Sequence, residues 1–225
     1  MINSSGFFSV IDHGVTINWD DGPTLHRMLA QVRYRETETG PLLTLRVGAS
    51  QRCAEWDDEN IDCFVAANGN LSAQWLWREL DSGWVTSLSV RNISEDNVYI
   101  ESLDMIRIEA TSNGLFNLGA PAQSWQLQTT PGQLLVQPPA SDRSSPPALL
   151  LHTIGDAPTV QMTLDIGTAK FERLVIAHDL GNTKLAPDVT LASPEIWVIA
   201  GDNQQELLDL AVAPAETPLD SATPE

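Results

Sequence analysis

The feature that most constrains the fold of this chain is a repeated alternation of apolar and polar residues. A period of two is typical of a β-strand that buries one of its faces, whereas helical periodicity is nearly absent. The sequence therefore predicts a protein built almost entirely of strands. The runs that indicate strands are 15–19, 43–47, 74–78, 84–91, 98–110, 134–136, 148–152, 160–164, 171–177 and 195–200.

Turn-forming residues separate many of these runs. Many strands joined by short turns favour an all-β, antiparallel β-sandwich. Within the long run 98–110, Ser102 and Asp104 interrupt the apolar face, which predicts a β-bulge or a bend there. The turn sequences are Asp21-Gly22-Pro23, Asn68-Gly69-Asn70, Asp81-Ser82-Gly83, Asn113-Gly114 and Gly181-Asn182.

One short C-terminal helix breaks the pattern of strands. Asp202 is a good N-cap with Gln205 as its capping-box partner, and Leu207, Leu210 and Ala211 share one helical face. Pro214 ends the helix. We expect one sandwich domain over residues 1–213, followed by an acidic, proline-rich linker or disordered tail over residues 214–225. The Pro/Ser-rich residues 138–147 are expected to form an exposed loop.

The charge balance excludes several classes of function. Twelve Lys and Arg against 30 Asp and Glu give a net charge of −18 in 225 residues. Such a surface repels phosphate backbones and anionic lipids, so we expect neither nucleic-acid binding nor membrane binding. No run is long enough to span a membrane, and the N-terminus does not resemble a signal peptide, which favours a cytoplasmic location. Whether Cys53 and Cys63 form a disulfide stays open.

The usual catalytic and metal-binding patterns are absent from the sequence. The four histidines have no metal-ligand spacing, and there is neither a Gly-x-Ser-x-Gly elbow nor a glycine-rich phosphate loop. The acidic run 55–62 could offer oxygen ligands to Ca²⁺, but it lacks EF-hand spacing and is more typical of a solvated loop. We therefore expect no catalytic residue, no metal and no cofactor.

Seven tryptophans against two tyrosines make an unusual aromatic set. Most tryptophans are expected in the core, although an exposed indole on a sandwich edge can stack on a sugar ring. Trp125 stands out because its surroundings, residues 119–126, are typical of a loop rather than of an alternating strand. Gln123 and Ser124 would supply hydrogen bonds beside it. These three residues are the candidate sugar-binding residues.

Four stretches together resemble the N-terminal β-supersandwich domain of family 36 α-galactosidases and their relatives. Residues 88–94 followed by the strand 98–108 resemble the family's strand, Asn-x-Ser, strand connector. Gln123-Ser124-Trp125 is similar to the end of its Asn-Gly-Trp-Gln-Ser-Trp signature, although Ala120-Pro121-Ala122 replaces the first half. Residues 180–197 and 201–208 resemble its late strands and its Gly-Asp…Glu-Leu-Leu helix. The likeness covers roughly residues 6–213.

The resemblance implies a non-catalytic module of a glycoside hydrolase. Members of that family hydrolyse α-galactosides with two aspartates of a (β/α)₈ barrel, which would follow Glu225, and an aromatic residue from the region of Trp125 helps to wall the sugar subsite. The expected partners are thus a catalytic barrel domain and an α-galactoside or related carbohydrate. Two alternatives remain open: a free-standing carbohydrate-binding sandwich, and an oligomerisation module that forms a homo-oligomer.

Overall fold

The computed structural model describes residues 6–19, 22–53, 60–109, 125–137, 147–154, 159–166, 171–201 and 204–212. Within these ranges the chain forms fifteen strands and one helix, and that helix is not long and apolar enough to cross a membrane. The elements are β1 (Gly6–Ile11), β2 (Gly14–Trp19), β3 (Thr24–Arg35), β4 (Leu43–Val47), β5 (Ile61–Ala67), β6 (Leu71–Leu80), β7 (Gly83–Asn92), β8 (Val98–Glu109), β9 (Gln126–Thr130), β10 (Gln133–Gln137), β11 (Ala148–Thr153), β12 (Val160–Ile166), β13 (Phe171–Leu185), β14 (Thr190–Ala192), β15 (Ile196–Gly201) and α1 (Gln204–Val212).

The strands form two antiparallel sheets, which confirms the predicted sandwich. The first sheet has the order β1-β2-β3-β8-β13-β12, with β4 also paired to β3. The second sheet has the order β5-β6-β7-β15-β11-β10-β9, with β14 also paired to β7. Every described strand pair is antiparallel, as expected for a sandwich in which most strands have one buried face.

The core lies between the two sheets and follows the alternation read in the sequence. Along β6, Leu71, Ala73, Trp75 and Trp77 are buried while the residues between them are not. The rings of Trp75 and Trp77 meet edge to face, with centroids 5.4 Å apart. The large aromatic side chains therefore fill the space between the sheets.

The predicted C-terminal helix is present. Leu207 of α1 is fully buried in a second, smaller cluster on the outside of the second sheet, with Leu135, Leu150 and Ile199. This helix thus covers the outward apolar residues of β10, β11 and β15, which is why those strands are apolar on both faces.

Two features of the strands correct or settle the sequence interpretation. Gly181 and Asn182 have positive φ angles of 54° and 69°, but they do not end a strand. Strand β13 continues through them to Leu185, with a register shift between Asp179 and Thr183. The predicted turn is therefore an irregularity within one long strand.

The question of the cysteines is also answered, because Cys53 and Cys63 form a disulfide.

Gly83 shows how tightly the second sheet is built. It begins β7 at a φ of 149°, where L side chains are disfavoured, and a Cβ there would lie 2.5 Å from the carbonyl oxygen of Val198. Glycine at this hairpin therefore allows β7 to approach β15 closely.

Candidate functional site

The structure buries Trp125, contrary to the exposure that sugar stacking would need. Only 6% of the residue is exposed, and its ring meets Phe171 edge to face at a centroid distance of 6.1 Å. An indole packed in this way joins the core rather than offering an open ring face. Gln123 and Ser124 lie outside the described residues, so their contact with a sugar stays a prediction.

Four of the five other tryptophans that the structure describes follow the core interpretation, whereas Trp197 is only partly buried, against the smaller cluster beside α1. Trp19, Trp75, Trp77 and Trp84 are all at most 5% exposed. Most of the described tryptophans therefore pack between the two sheets, and a different surface carries the polar side chains.

That surface is the outer face of the first sheet. Residues facing each other on β4, β3, β8, β13 and β12 form a straight row across five strands: Arg46, Gln31, Asp104, Ala177 and Gln161. Their sequence neighbours Val32 and Leu103 belong to the core. Since side chains alternate between the faces of a strand, the row faces outward. We refer to this surface as the polar face.

Asp104 is the centre of the polar face. Its side chain is only 3% exposed although it points away from the core. Gln31 donates a hydrogen bond of 2.6 Å to one carboxylate oxygen and Ser102 donates one of 2.9 Å to the other. Arg107 lies 3.4 Å from the same carboxylate. A carboxylate removed from water needs such partners, so this network fixes three neighbouring side chains around Asp104.

Ser102 and Asp104 are the residues that interrupt the apolar alternation of β8 in the sequence. The predicted irregularity is confirmed, because the pairing of β3 with β8 shifts in register on both sides of these residues, between Leu29 and Gln31 and between Arg33 and Tyr34. The interruption was read only as a signal of backbone geometry. It also marked the polar centre, which the sequence interpretation missed.

Five arginines surround this centre, a large share of the twelve basic residues of the chain. Three have acidic partners: Arg27 with Asp12, Arg107 with Asp104 and Glu109, and Arg173 with Asp165. Arg33 and Arg46 have no hydrogen-bond or ion-pair partner among the described residues. The polar face therefore carries unpaired positive charge on a protein whose net charge is −18.

Two neighbouring depressions cut into the polar face and share Arg107. One has a volume of about 190 Å³ and is lined by residues of β2, β3, β4 and β8, among them Arg27, Gln31 and Arg46. The other has a volume of about 250 Å³ and a mostly polar lining. We refer to the two together as the polar groove. The second depression is lined by Arg33, Glu101, Ser102, Asp104, Arg107, Gln161, Thr163, Arg173, Val175, Ala177 and Asp179.

The groove is suited to binding and shows no metal centre. The described residues contain no group of three or more His, Cys, Asp or Glu side chains placed to hold a metal ion. Most of the acidic run 55–62, which the sequence interpretation treats as a solvated loop, lies outside the described ranges. Cys53 and Cys63 join the two ends of that segment.

His178 is the one described residue for which a shifted pKa is resolved. It faces inward on β13, opposite Leu103 and Val160. Burial lowers the pKa of His178 below its usual value, and the nearby charge of Asp179 opposes that effect. The ring lies on the opposite side of the sheet from the groove. His178 is therefore part of the packing of the sheet and not part of the candidate site.

Comparison with known proteins supports the architecture. The chain is an antiparallel β-sandwich and its fold resembles that of solved structures, among them a polysaccharide lyase with a TM-score of 0.55 and 12% sequence identity. The alignment covers 92% of this chain and 34% of the lyase chain, so this chain spans about a third of that protein's length. No family model and no curated protein matches the sequence.

Proposed function

We propose that this chain is a non-catalytic β-sandwich module of a larger carbohydrate-active enzyme. The observation that carries the proposal is the uneven coverage of the lyase comparison: nearly the whole of this chain has the shape of about one third of a polysaccharide lyase. A sandwich that corresponds to one part of such an enzyme is suited to support a separate catalytic domain. Because fold alone does not define function, the role needs a direct test.

The finer form of the proposal follows the sequence resemblance to family 36 α-galactosidases. In that form the module lies N-terminal to a (β/α)₈ barrel that cleaves an α-galactoside. The burial of Trp125 weakens a direct role of this residue in a sugar subsite and favours a supporting role for the module. The free-standing binding protein and the oligomerisation module remain the competing functions.

The size of the native polypeptide tests the module proposal. An antibody raised against this chain should detect a protein far larger than 24.5 kDa in the source cells. A native protein of 24.5 kDa would overturn the proposal and leave the two competing functions. As a second readout, the isolated chain should not hydrolyse aryl α-galactosides. Turnover that a single Asp or Glu substitution abolishes would show that the chain is itself an enzyme.

The disulfide is relevant to the cellular location of the module. Disulfides persist in oxidising compartments and are rare in the cytoplasm, where thiols are kept reduced. The pairing of Cys53 with Cys63 therefore favours an extracytoplasmic location over the cytoplasmic one expected from the sequence. Alkylation of free thiols in rapidly quenched source cells tests this proposal, since labelling of both cysteines in the native protein would favour the cytoplasm.

A further inference from the structure

The polar groove has the composition of a ligand site rather than of an ordinary solvated sheet face. An outer sheet face normally needs no buried charge, yet Asp104 is almost fully buried there and is held by Gln31, Ser102 and Arg107. Side chains fixed in this way lose little conformational freedom when a ligand binds. The groove is therefore preorganised around one centre.

Arg33 is the cation that this network leaves without a partner. It lies half-buried on β3, directly opposite Ser102 of β8. The other arginines of the second depression, Arg107 and Arg173, already contact carboxylates. A partly buried guanidinium favours an anionic acceptor, and a carboxylate can accept two parallel hydrogen bonds from it.

Arg46 reinforces this preference from the neighbouring strand. It pairs with Gln31 in the β3-β4 register, which makes it a diagonal neighbour of Arg33, at a typical separation of about 7–8 Å. Like charges on neighbouring positions of paired strands disfavour each other. A negative group bound near them would relieve that repulsion, so both residues favour the same sign of charge in a ligand.

The rest of the second depression argues against a densely charged anion. Asp104, Asp179 and Glu101 also line it, and these acceptors would repel a polyphosphate. Glu101 and Asp179 would instead accept hydrogen bonds from hydroxyl groups, as would the side chains of Gln161 and Thr163. The ligand should therefore carry many hydroxyl groups and isolated negative charges.

Val175 and Ala177 supply an apolar patch in the same depression. They lie on β13, opposite Arg107 and Asp104 respectively. Their short side chains lie among longer polar ones, so the apolar C–H face of a sugar ring can pack against them. Across five strands at a spacing of about 4.8 Å, the polar face is about 19 Å wide, which accommodates several linked rings.

We infer that the polar groove binds an acidic oligosaccharide, with a uronate-type carboxylate on Arg33 and the sugar hydroxyl groups on the surrounding acceptors. This inference rests on the proposed carbohydrate-related function and adds the chemical class of the ligand and the residue that selects it. The carboxylate would accept hydrogen bonds from the Arg33 guanidinium, and Arg46 would add attraction from the adjacent strand.

The test compares two ligands that differ mainly in the charge of their carboxyl groups. Oligogalacturonate and its fully methyl-esterified form are titrated into the 225-residue chain by calorimetry at low salt. We expect saturable binding of oligogalacturonate, and an affinity at least about tenfold lower for the ester because it cannot form the charged pair with Arg33. Added NaCl should weaken the binding of the acid form only.

Variants then assign the binding to Arg33. Arg33→Gln should lower the affinity for oligogalacturonate by at least about tenfold, because it removes the charge and the paired donors. Arg91→Gln is the matched control, since it removes an exposed arginine from the second sheet, and its affinity should equal that of the wild type. Arg46→Gln provides a second variant if Arg33→Gln changes the circular dichroism spectrum.

Each other outcome has a separate meaning. Equal binding of the ester, unaffected by Arg33→Gln, would overturn the acidic ligand but leave a carbohydrate module. Binding of poly-glutamate as tightly as oligogalacturonate would overturn the saccharide and indicate a general carboxylate site. No binding of either sugar would overturn this inference, whereas the proposed module role is decided independently by the size of the native polypeptide.

Discussion

Gln31 and Asp104 lie directly opposite each other on β3 and β8, and the side-chain amide of Gln31 donates a hydrogen bond of 2.6 Å to the Asp104 carboxylate. The two residues are 73 positions apart in the sequence. Their pair joins two central strands of the first sheet on its outer side, so the polar groove and the stability of the sheet depend on the same contact.

Asp104→Ala should therefore destabilise the protein strongly. The substitution leaves the Gln31 amide and the Ser102 hydroxyl without their acceptor and Arg107 without its buried partner. Because Arg107 is partly exposed to water, we expect a loss of about 2–4 kcal/mol in the free energy of unfolding, measured by urea denaturation. Arg91→Ala is the control: its ion pair with Asp188 is largely exposed, and the loss should stay below about 1 kcal/mol. Equal effects would contradict the network.

Asn92 should be equally sensitive, for a different reason. It is fully buried, and its amide donates to the carbonyl oxygens of Asp96 and Leu185 at 2.7 and 3.0 Å. Its side-chain oxygen accepts hydrogen bonds from the backbone and the hydroxyl of Ser94. Asn92 thus ties the connector between β7 and β8 to the end of β13.

Asn92→Ala should lower the free energy of unfolding by about 2–4 kcal/mol, since several buried groups lose their partner. Asn92→Asp should also destabilise, because a carboxylate would face two carbonyl oxygens. Asn70 offers a comparison at a more exposed site, where its amide donates to Glu36. Asn70→Ala should cost less than about 1 kcal/mol in the same urea experiment, and a loss as large as that of Asn92→Ala would contradict the assignment.

The disulfide should stabilise the edge of the second sheet. Cys53 and Cys63 are 10 positions apart, and cross-linking a loop of this length reduces the entropy of the unfolded chain. The double variant Cys53→Ser/Cys63→Ser should unfold with a free energy about 2–3 kcal/mol lower than that of the oxidised protein. Reduction of the wild type should reproduce this loss, while the double variant should not respond to the reductant. An unchanged midpoint after reduction would show that the bridge does not stabilise the fold.

The sequence predicted the sandwich well because most of its strands have one buried face. The alternation in 84–91, for example, leads directly to β7. The alternation does not reveal strand β3, which lies at the centre of the first sheet. Its apolar period is broken between Leu25 and Met28, where Arg27 adopts a positive φ of 57° and the pairing with β2 shifts in register. A period-two pattern cannot reveal a strand that changes face midway.

The polar groove could not be predicted in the same way, because it is formed by residues far apart in the sequence. Arg33, Asp104 and Ala177 come together only because the strands have the order β3-β8-β13. Local alternation of apolar and polar residues does not predict the order of strands in a sheet. Conversely, Trp125 looked exposed because its neighbours are typical of a loop, yet the ring turns inward to Phe171. Local composition indicates the backbone more reliably than the direction of a side chain.

His178 should make the stability of the protein depend on pH. Its pKa is lowered by burial, with Asp179 opposing the shift, so the unfolded chain takes up a proton at a higher pH than the folded protein does. As the pH falls below about 6.5, the unfolded state gains protons first, and the free energy of unfolding decreases until the lower pKa of the folded protein is passed. Well above about pH 6.5 the histidine is neutral in both states, so it does not make the free energy of unfolding depend on pH.

His178→Leu isolates this contribution, because it removes the titrating ring and leaves the carboxylates unchanged. We expect the wild type to lose more of its free energy of unfolding than the variant does between about pH 7.5 and about pH 5.5, measured by urea denaturation at each pH. For each protein, the comparison uses the change in the free energy of unfolding between the two pH values. A substitution that changes stability equally at both pH values therefore does not affect it. His26 lies at the β2-β3 bulge, where its ring is 3.4 Å from the Thr16 hydroxyl, and His26→Leu serves as the matched control. Parallel pH profiles for the wild type and His178→Leu would contradict the assignment of this proton uptake to His178.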